Sequence, residues 1–234
     1  MRWTPGGTSG DIEDRRDDSG GGGFGFGGGG GWVVLDDVQH TWEQLLPKQA
    51  GKPYRHAKLV LFRDSIDSAC GMAQSATGPF YCPVDEKVYL DLSFFQELKD
   101  RFGAPGQFAQ AYVVAHEIGH HVQKILGIEQ RVSSLQQRDP RERNPMSVRL
   151  ELQADCLAGV WGHSTEQRNI IDKSDVAAGL HAAAAIGDDR LQRMATGHVN
   201  PDSFTHGSSS ERVEWFRRGM DQGTVSACDT FNGH

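Results

Sequence analysis

The chain has 234 residues, of which 37% are hydrophobic, so it is long enough to bury one sizeable core. Its formal charge of -7 argues against a nucleic-acid partner, because phosphate binding requires an excess of clustered Lys and Arg. At the N-terminus, residues 1–31 combine a charge run with the polyglycine stretch 20–31, a composition that predicts a disordered tail. The remaining residues, 32–234, are predicted to form one folded domain.

The first half of this domain is predicted to mix helix and strand. An amphipathic helix is expected over 36–47, ending at Pro47, and an apolar strand is expected over 57–64. A second strand is predicted over 84–91, followed by a helix with Ser93 as its N-cap. No apolar run approaches the roughly 18 to 20 residues that cross a bilayer, so the chain as written is expected to be soluble.

The second half is predicted to be helical. Apolar residues recur at intervals of three and four from 107 to 126, and Gly127 follows as a stop signal, so this stretch predicts a long central helix. A polar connection over 129–145 is expected next. Three further helices follow, with N-caps expected at Ser147, Ser174 and Ser208. The predicted fold class is therefore α+β, mainly helical with a small sheet.

The cysteines of the chain are Cys70, Cys82, Cys156 and Cys228. They are consistent with two disulfides, with buried pairs of thiols or with a metal site, although none lies in the CxxC spacing typical of cysteine zinc sites. A bridge between Cys70 and Cys82 would close a loop of about a dozen residues and contribute on the order of 3 kcal/mol. A bridge between Cys156 and Cys228 would tie the C-terminus to the helix expected after Ser147. Oxidised cysteines would favour an exported protein, although the chain has no visible export signal.

The central helix interrupts its apolar face with His116, Glu117 and His120. The two histidines are four residues apart, so on a helix they lie on one face and can bind one metal ion. Glu117 points away from that face by roughly 100° and can hold a water. This is the HExxH pattern, in which two imidazoles bind zinc and the glutamate is the general base. The adjacent His121 faces another side of the helix and is expected to have a packing or hydrogen-bonding role.

A catalytic zinc ion takes three protein ligands and keeps one position open for water. The longer motif HExxHxxGxxH would need Gly and His where the chain has Gln123 and Leu126, so a metzincin site is excluded. The next long helix offers Glu151 and Asp155, four residues apart in a largely apolar sequence where unpaired carboxylates would be costly. We therefore expect Glu151 to be the third ligand. Asp155 is expected to accept a hydrogen bond from the other ring nitrogen of a zinc-binding imidazole.

Several segments resemble the putative neutral zinc metallopeptidase family of bacteria, within the gluzincin group: "GPFYCP", "RFGAPG", "AHEIGHH", "LELQADCLAG" and "PDSFTHGSSSERVEWFRRG". The resemblance covers nearly everything after about residue 55. It implies a zincin-like fold with an active-site HExxH helix, one catalytic Zn²⁺ and endopeptidase activity on a peptide or protein substrate. It also implies an extracytoplasmic or membrane-associated location with one N-terminal span, where this chain has polyglycine instead.

The resemblance further assigns roles outside the HExxH helix. Gluzincins similar to this chain often place a histidine opposite the zinc, followed by an arginine about six residues later, and these residues are here His206 and Arg212. His206 would stabilise the transition state, and Arg212 would support it or bind a substrate carbonyl. The strand over 84–91 precedes the central helix, as the substrate-aligning edge strand does in zincins.

Three functions are compatible with these residues. The first is a zinc-dependent endopeptidase in which Glu117 takes the proton of a zinc-activated water. The alternatives are a zinc-stabilised binding or scaffold module without catalysis, and a zinc amidohydrolase that acts on a non-peptide substrate. Glu117 favours an enzyme, because a purely structural zinc site would have no use for it.

Overall fold

The computed structural model describes residues 9–16, 30–74, 78–101, 103–104 and 106–232, and within these ranges the chain is mainly helical with a small sheet, as predicted. The strands are β1 (Ile12–Asp14), β2 (Lys58–Phe62), β3 (Ser65–Ser68), β4 (Gly71–Gln74), β5 (Phe80–Cys82) and β6 (Lys87–Asp91). The α-helices are α1 (Gly30–Ala50), α2 (Ser93–Asp100), α3 (Gln107–Leu126), α4 (Ile128–Arg138), α5 (Arg143–Gln167), α6 (Lys173–Ala185), α7 (Asp188–Thr196) and α8 (Ser209–Gln222).

Four of the strands form one sheet in the order β1-β2-β6-β5, in which β5 is antiparallel to β6 and the other pairs are parallel. Strand β2 is almost wholly apolar, as expected for a strand buried on both faces. Leu59 and Leu61 face the main core, which the helices complete, whereas Val60 and Phe62 pack with Tyr89 on the opposite face. Strands β3 and β4 form a separate antiparallel hairpin.

The prediction of a disordered tail over 1–31 is wrong for part of that segment. Strand β1 pairs with β2, with Ile12 opposite Leu59, and Lys87 forms an ion pair with Glu13 at 2.9 Å. These contacts with residues far along the chain order residues 12–14, although their local composition predicts disorder. Helix α1 begins at Gly30, ahead of the predicted domain boundary, and continues through Pro47 to its end three residues later. The rest of the predicted tail lies outside the described residues.

Helix α3 crosses the centre of the fold and confirms the predicted central helix. It ends at Leu126, and the following Gly127 is the C-cap, with a positive φ of 73° in the left-handed conformation expected there. The helix packs against α1, α5 and α6. Gly119 permits the close approach to α5, because a Cβ at this position would lie 3.0 Å from the carbonyl oxygen of Ala154. The histidine face of α3 is thereby held against α5.

The later helices differ from prediction mainly at their ends. The connection predicted over 129–145 contains α4, an exposed polar helix in which Val132 is the buried residue. Helix α5 begins at Arg143, ahead of the predicted cap at Ser147. Helix α6 is capped by Asp172, whose side chain accepts from the backbone of Ser174, the predicted cap. In each case the observed helix includes polar residues that lie outside the apolar periodicity used for the prediction.

Helix α8 begins as predicted, because Ser208 and Glu211 form a capping box. It does not end at Gly219, which lies inside the helix where α8 packs on α5. A Cβ on Gly219 would lie 1.9 Å from the carbonyl oxygen of Cys156, so the glycine is needed for close packing. None of the helices in the described part of the chain has the length and apolar character of a membrane span.

Candidate metal centre and its cleft

The three residues predicted as metal ligands meet at the contact between α3 and α5. His116 and His120 lie one turn apart on α3, and both imidazoles face Glu151 on α5. His116 Nε2 is 3.1 Å from Glu151 Oε2, and His120 Nε2 is 3.5 Å from Glu151 Oε1. One ligand atom from each residue lies within 4.8 Å of the others. Two imidazoles and one carboxylate are ligand types that zinc accepts, so these three residues can hold one metal ion.

The second nitrogen of each imidazole is bound by a neighbouring acceptor. His116 Nδ1 lies 2.9 Å from Oδ1 of Asp155, as predicted, and His120 Nδ1 lies 2.8 Å from Oε1 of Gln123. A carboxylate and an amide oxygen can only accept, so both Nδ1 atoms carry a hydrogen. Nε2 of each ring is therefore the nitrogen left to bind a metal ion, and without one it can donate a hydrogen bond to Glu151. Partners of this kind fix the tautomer and the ring orientation of metal-binding histidines.

The charges at the cluster also fit a cation. Burial by itself lowers the pKa of His116, but the charge of Asp155 and hydrogen bonds to Asp155 and Glu151 outweigh it and raise the pKa to about 10. The pKa of His120 is likewise raised by Glu151 against the effect of burial. Burial raises the pKa of Glu151, yet the facing imidazoles hold it well below its usual range. The cluster requires positive charge between its side chains, which ring protons or one divalent cation can provide.

Glu117 lies beside this cluster and lines the same cleft. Its residue surface is 7% exposed, and burial raises the pKa of its carboxyl group, while the charges of His116 and His120 oppose the shift. Within the described part of the chain, no group forms a hydrogen bond with its carboxylate. The oxygen atoms are therefore available to a molecule bound in the cleft.

Asp155 is held from three sides. Arg212 of α8 binds it with two nitrogen atoms, Nε to Oδ2 at 2.8 Å and Nη2 to Oδ1 at 3.0 Å. The hydroxyl of Tyr112, one turn before His116 on α3, donates to the same Oδ1. Burial raises the pKa of Asp155, but Arg212 and His116 outweigh it and lower the pKa. Arg212 therefore supports His116 through Asp155.

His206 lies in the loop between α7 and α8 and lines the same cleft. Its Nδ1 is 3.2 Å from Asp188 Oδ1, and Asp188 Oδ2 accepts from the backbone N–H of His206 at 2.6 Å and of two neighbours. The hydrogen bond to Asp188 raises the pKa of His206, whose side chain remains 51% exposed. The loop thus presents a readily protonated imidazole to the cleft. The predicted catalytic roles of His206 and Arg212 stay predictions.

The cleft has a volume of about 680 Å³ and is bordered by the segment around β5. The prediction that the strand over 84–91 aligns substrate is wrong. Residues 83–86 form a turn, and β6 is hydrogen-bonded on both edges, by β2 and by β5, so it has no free edge. The edge strand at the cleft is β5, whose outer side pairs with no strand of the described residues. Phe80 and Tyr81 of β5 line the cleft.

Both cysteine pairs are disulfides, so the alternatives of free thiols and a cysteine metal site are excluded. Cys70–Cys82 joins the turn of the β3-β4 hairpin to β5, and Cys156–Cys228 joins α5 to the C-terminal segment beside Asp155. His121 has the expected hydrogen-bonding role. Its Nε2 lies 2.7 Å from the Arg55 carbonyl, and its Nδ1 lies 2.9 Å from the hydroxyl of Tyr81 in β5.

Sequence reasoning missed Tyr112, Gln123 and Asp188. The first two had a local signal, because Tyr112 precedes His116 by four residues and Gln123 follows His120 by three, spacings that bring helical side chains together. Asp188 had no such signal. It is 18 residues from His206, and only the path of the chain between α7 and α8 brings the two together.

Comparison with known proteins agrees with this geometry. A family model described as "Putative neutral zinc metallopeptidase" matches residues 31–231. Uncharacterised protein YpfJ of Escherichia coli strain K12 is 54% identical over 200 residues, which cover 85% of this chain and 69% of that protein. Uncharacterised protein Rv2575 of Mycobacterium tuberculosis strain H37Rv is 42% identical over 208 residues, covering 84% and 68%. No solved structure matches the chain.

Proposed function

We propose that this chain, which belongs to the putative neutral zinc metallopeptidase family, is a zinc-dependent endopeptidase. The observation that carries the proposal is the position of Glu117, whose unpaired carboxylate faces the cleft beside the ligand cluster. A structural metal site would have no use for such a group. The free edge of β5 along the same cleft supports a peptide substrate, since an extended chain can add to it by main-chain hydrogen bonds.

His116, His120 and Glu151 would hold the ion. When bound, zinc polarises a carbonyl group and lowers the pKa of a water to about 7. Glu117 accepts the proton of the attacking water and delivers it to the leaving amine. Asp155 and Gln123 keep the imidazoles oriented throughout, because their hydrogen bonds to the Nδ1 atoms do not involve the metal side of the rings.

His206 is proposed to donate a hydrogen bond to the oxygen that becomes negative in the transition state. The raised pKa that its contact with Asp188 produces supports this role, because a protonated imidazole is the better donor. The substrate would lie between His206 and the β5 edge. Its side chains would meet the apolar residues of the cleft wall, which include Phe94, Val113 and Leu191.

Glu117→Gln tests the proposal. Zinc content is measured by mass spectrometry, and peptide hydrolysis is measured with a quenched peptide library. Both are compared among the wild type, Glu117→Gln and the control Glu166→Gln, since Glu166 is exposed on α5. Loss of a general base lowers the rate by roughly 10² to 10⁴-fold. We expect stoichiometric zinc in all three proteins and cleavage in all but Glu117→Gln.

Other results would favour the alternatives. Zinc binding without peptide cleavage by the wild type would favour a scaffold module or an amidohydrolase, and a panel of cell-wall fragments would separate these two. A wild type without zinc would refute the site. We also infer an extracytoplasmic location, which the two disulfides support because such bonds persist in oxidising compartments.

A further inference from the structure

Two buried glutamines connect His120 to the C-terminal segment. His120 Nδ1 contacts Oε1 of Gln123 at 2.8 Å, and the Gln123 amide donates to the Leu150 carbonyl at 2.7 Å and to Gln153 Oε1 at 3.1 Å. The Gln153 amide donates in turn to the carbonyl of Cys228 at 2.8 Å. Gln123 and Gln153 form what we call the glutamine relay.

The direction of each hydrogen bond in the relay follows from the carbonyl oxygens that it contacts. A backbone carbonyl can only accept, so the two amide nitrogens must face Leu150 and Cys228. The oxygen of Gln123 is then left facing His120, and it accepts from Nδ1. Nδ1 therefore carries a hydrogen, and Nε2, on the side of Glu151, is the nitrogen left to bind a metal ion.

Burial makes this direction hard to reverse. Gln123 is 1% exposed and Gln153 is 5% exposed, so water cannot replace a lost partner. Turning either amide over would set two donors or two acceptors against each other in a buried site. The relay thus selects one tautomer of His120, the one that a metal ion requires.

The far end of the relay is itself anchored. Cys228 is bonded to Cys156, the residue after Asp155 on α5. The C-terminal segment is further held by Gln49 of α1. The Gln49 amide donates to the Gly223 carbonyl at 3.2 Å, and its oxygen accepts from the Val225 N–H at 2.7 Å. The carbonyl of Cys228 is therefore a fixed acceptor for the relay.

We propose that Gln123 and Gln153 are positioning residues that orient His120 for metal binding, so that the disulfide-anchored C-terminal segment contributes to metal affinity. The inference rests on the proposed zinc site. His116 has an ionised partner in Asp155, which Arg212 and a tyrosine hold in place. The partner of His120 is a neutral amide with two possible orientations, and the relay selects the one that binds.

Zinc affinity of the whole chain, measured by competition with a chelator at constant pH, tests this relay. Gln123→Met preserves much of the side-chain volume but removes the acceptor, and we expect zinc binding to weaken by roughly 10- to 100-fold. Gln153→Met leaves the acceptor but removes its anchor, so we expect a smaller loss. The visible spectrum of bound cobalt(II), which reports ligand geometry, should change in both variants.

Gln39→Met is the matched control. Gln39 lies on helix α1 and is 0% exposed, and its Oε1 accepts from the Ala57 N–H at 2.7 Å. This variant therefore also loses a buried amide. It should be destabilised but should bind zinc like the wild type.

Zinc binding by both relay variants at the wild-type affinity would overturn the proposal. If Gln123→Met does not fold, Gln153→Met decides between the same outcomes. A wild type that binds no zinc would refute the proposed zinc site, and the relay would have no metal ligand to orient. Failure of the zinc site can be distinguished from failure of the relay, because it is detected with the wild type alone.

Discussion

Replacement of Arg212 by Met separates support of the metal site from direct action on substrate. Arg212 is 2% exposed and Asp155 is 0% exposed, and two hydrogen bonds of 2.8 and 3.0 Å join them. Removing Arg212 leaves the buried carboxylate of Asp155 without its two-point partner and costs about 3 to 5 kcal/mol of unfolding free energy. With a slope of roughly 2 to 3 kcal/mol per molar urea, the unfolding midpoint should fall by about 1 to 2.5 M.

The assay is urea unfolding of the metal-free protein near pH 7, followed by zinc titration of the folded variant. Arg217→Met is the control, because Arg217 is exposed on the same helix. We expect Arg212→Met to unfold earlier and to bind zinc more weakly, since Asp155 would no longer be held against His116. An unfolding midpoint equal to that of the control would refute the reasoning from the ion pair. Lost peptide cleavage with normal stability and zinc affinity would instead indicate that Arg212 acts on the substrate.

Two further predictions concern helix packing and pH. Gly119→Ala places a Cβ 3.0 Å from the Ala154 backbone, so α3 and α5 must separate. We expect the free energy of unfolding in urea to fall by about 1 to 3 kcal/mol and zinc binding, measured by calorimetry, to weaken. Unchanged values in both measurements would contradict this. Asp188→Asn keeps the loop acceptor but removes the charge that raises the pKa of His206 above 6.5. If protonated His206 stabilises the transition state, activity falls as pH rises through that pKa, and the variant should move this fall in kcat/KM to lower pH. An unmoved alkaline limb would exclude the role.

The ligand cluster could be predicted because its members follow helical spacing. His116 and His120 are four residues apart, and a four-residue step brings side chains onto one face wherever the helix lies in the fold. The same step in an apolar sequence identified Glu151 and Asp155. Burial of carboxylates is costly without a cation, so the composition of α5 already indicated that the two helices meet at a charged site.

The edge of the sheet could not be predicted in this way. The strand over 84–91 has the stronger sequence signal, since β6 is a five-residue strand with four buried residues, and β5 is only three residues long. The stronger signal belongs to the interior strand because it is buried on both sides. Which strand has a free edge depends on sheet order, which periodicity within one strand does not contain.

By itself the sequence determined the make-up of the candidate centre: the types of the proposed ligands, their spacing, the proposed general base and the helix that carries them. These are local properties, encoded within one or two helical turns. The tertiary structure decided which groups hold Asp155, Gln123 and His206 in place, since their partners lie 57, 30 and 18 residues away along the chain. Such contacts depend on where helices cross, and the crossings are set by close packing at glycines such as Gly119 and Gly219 rather than by any repeating pattern.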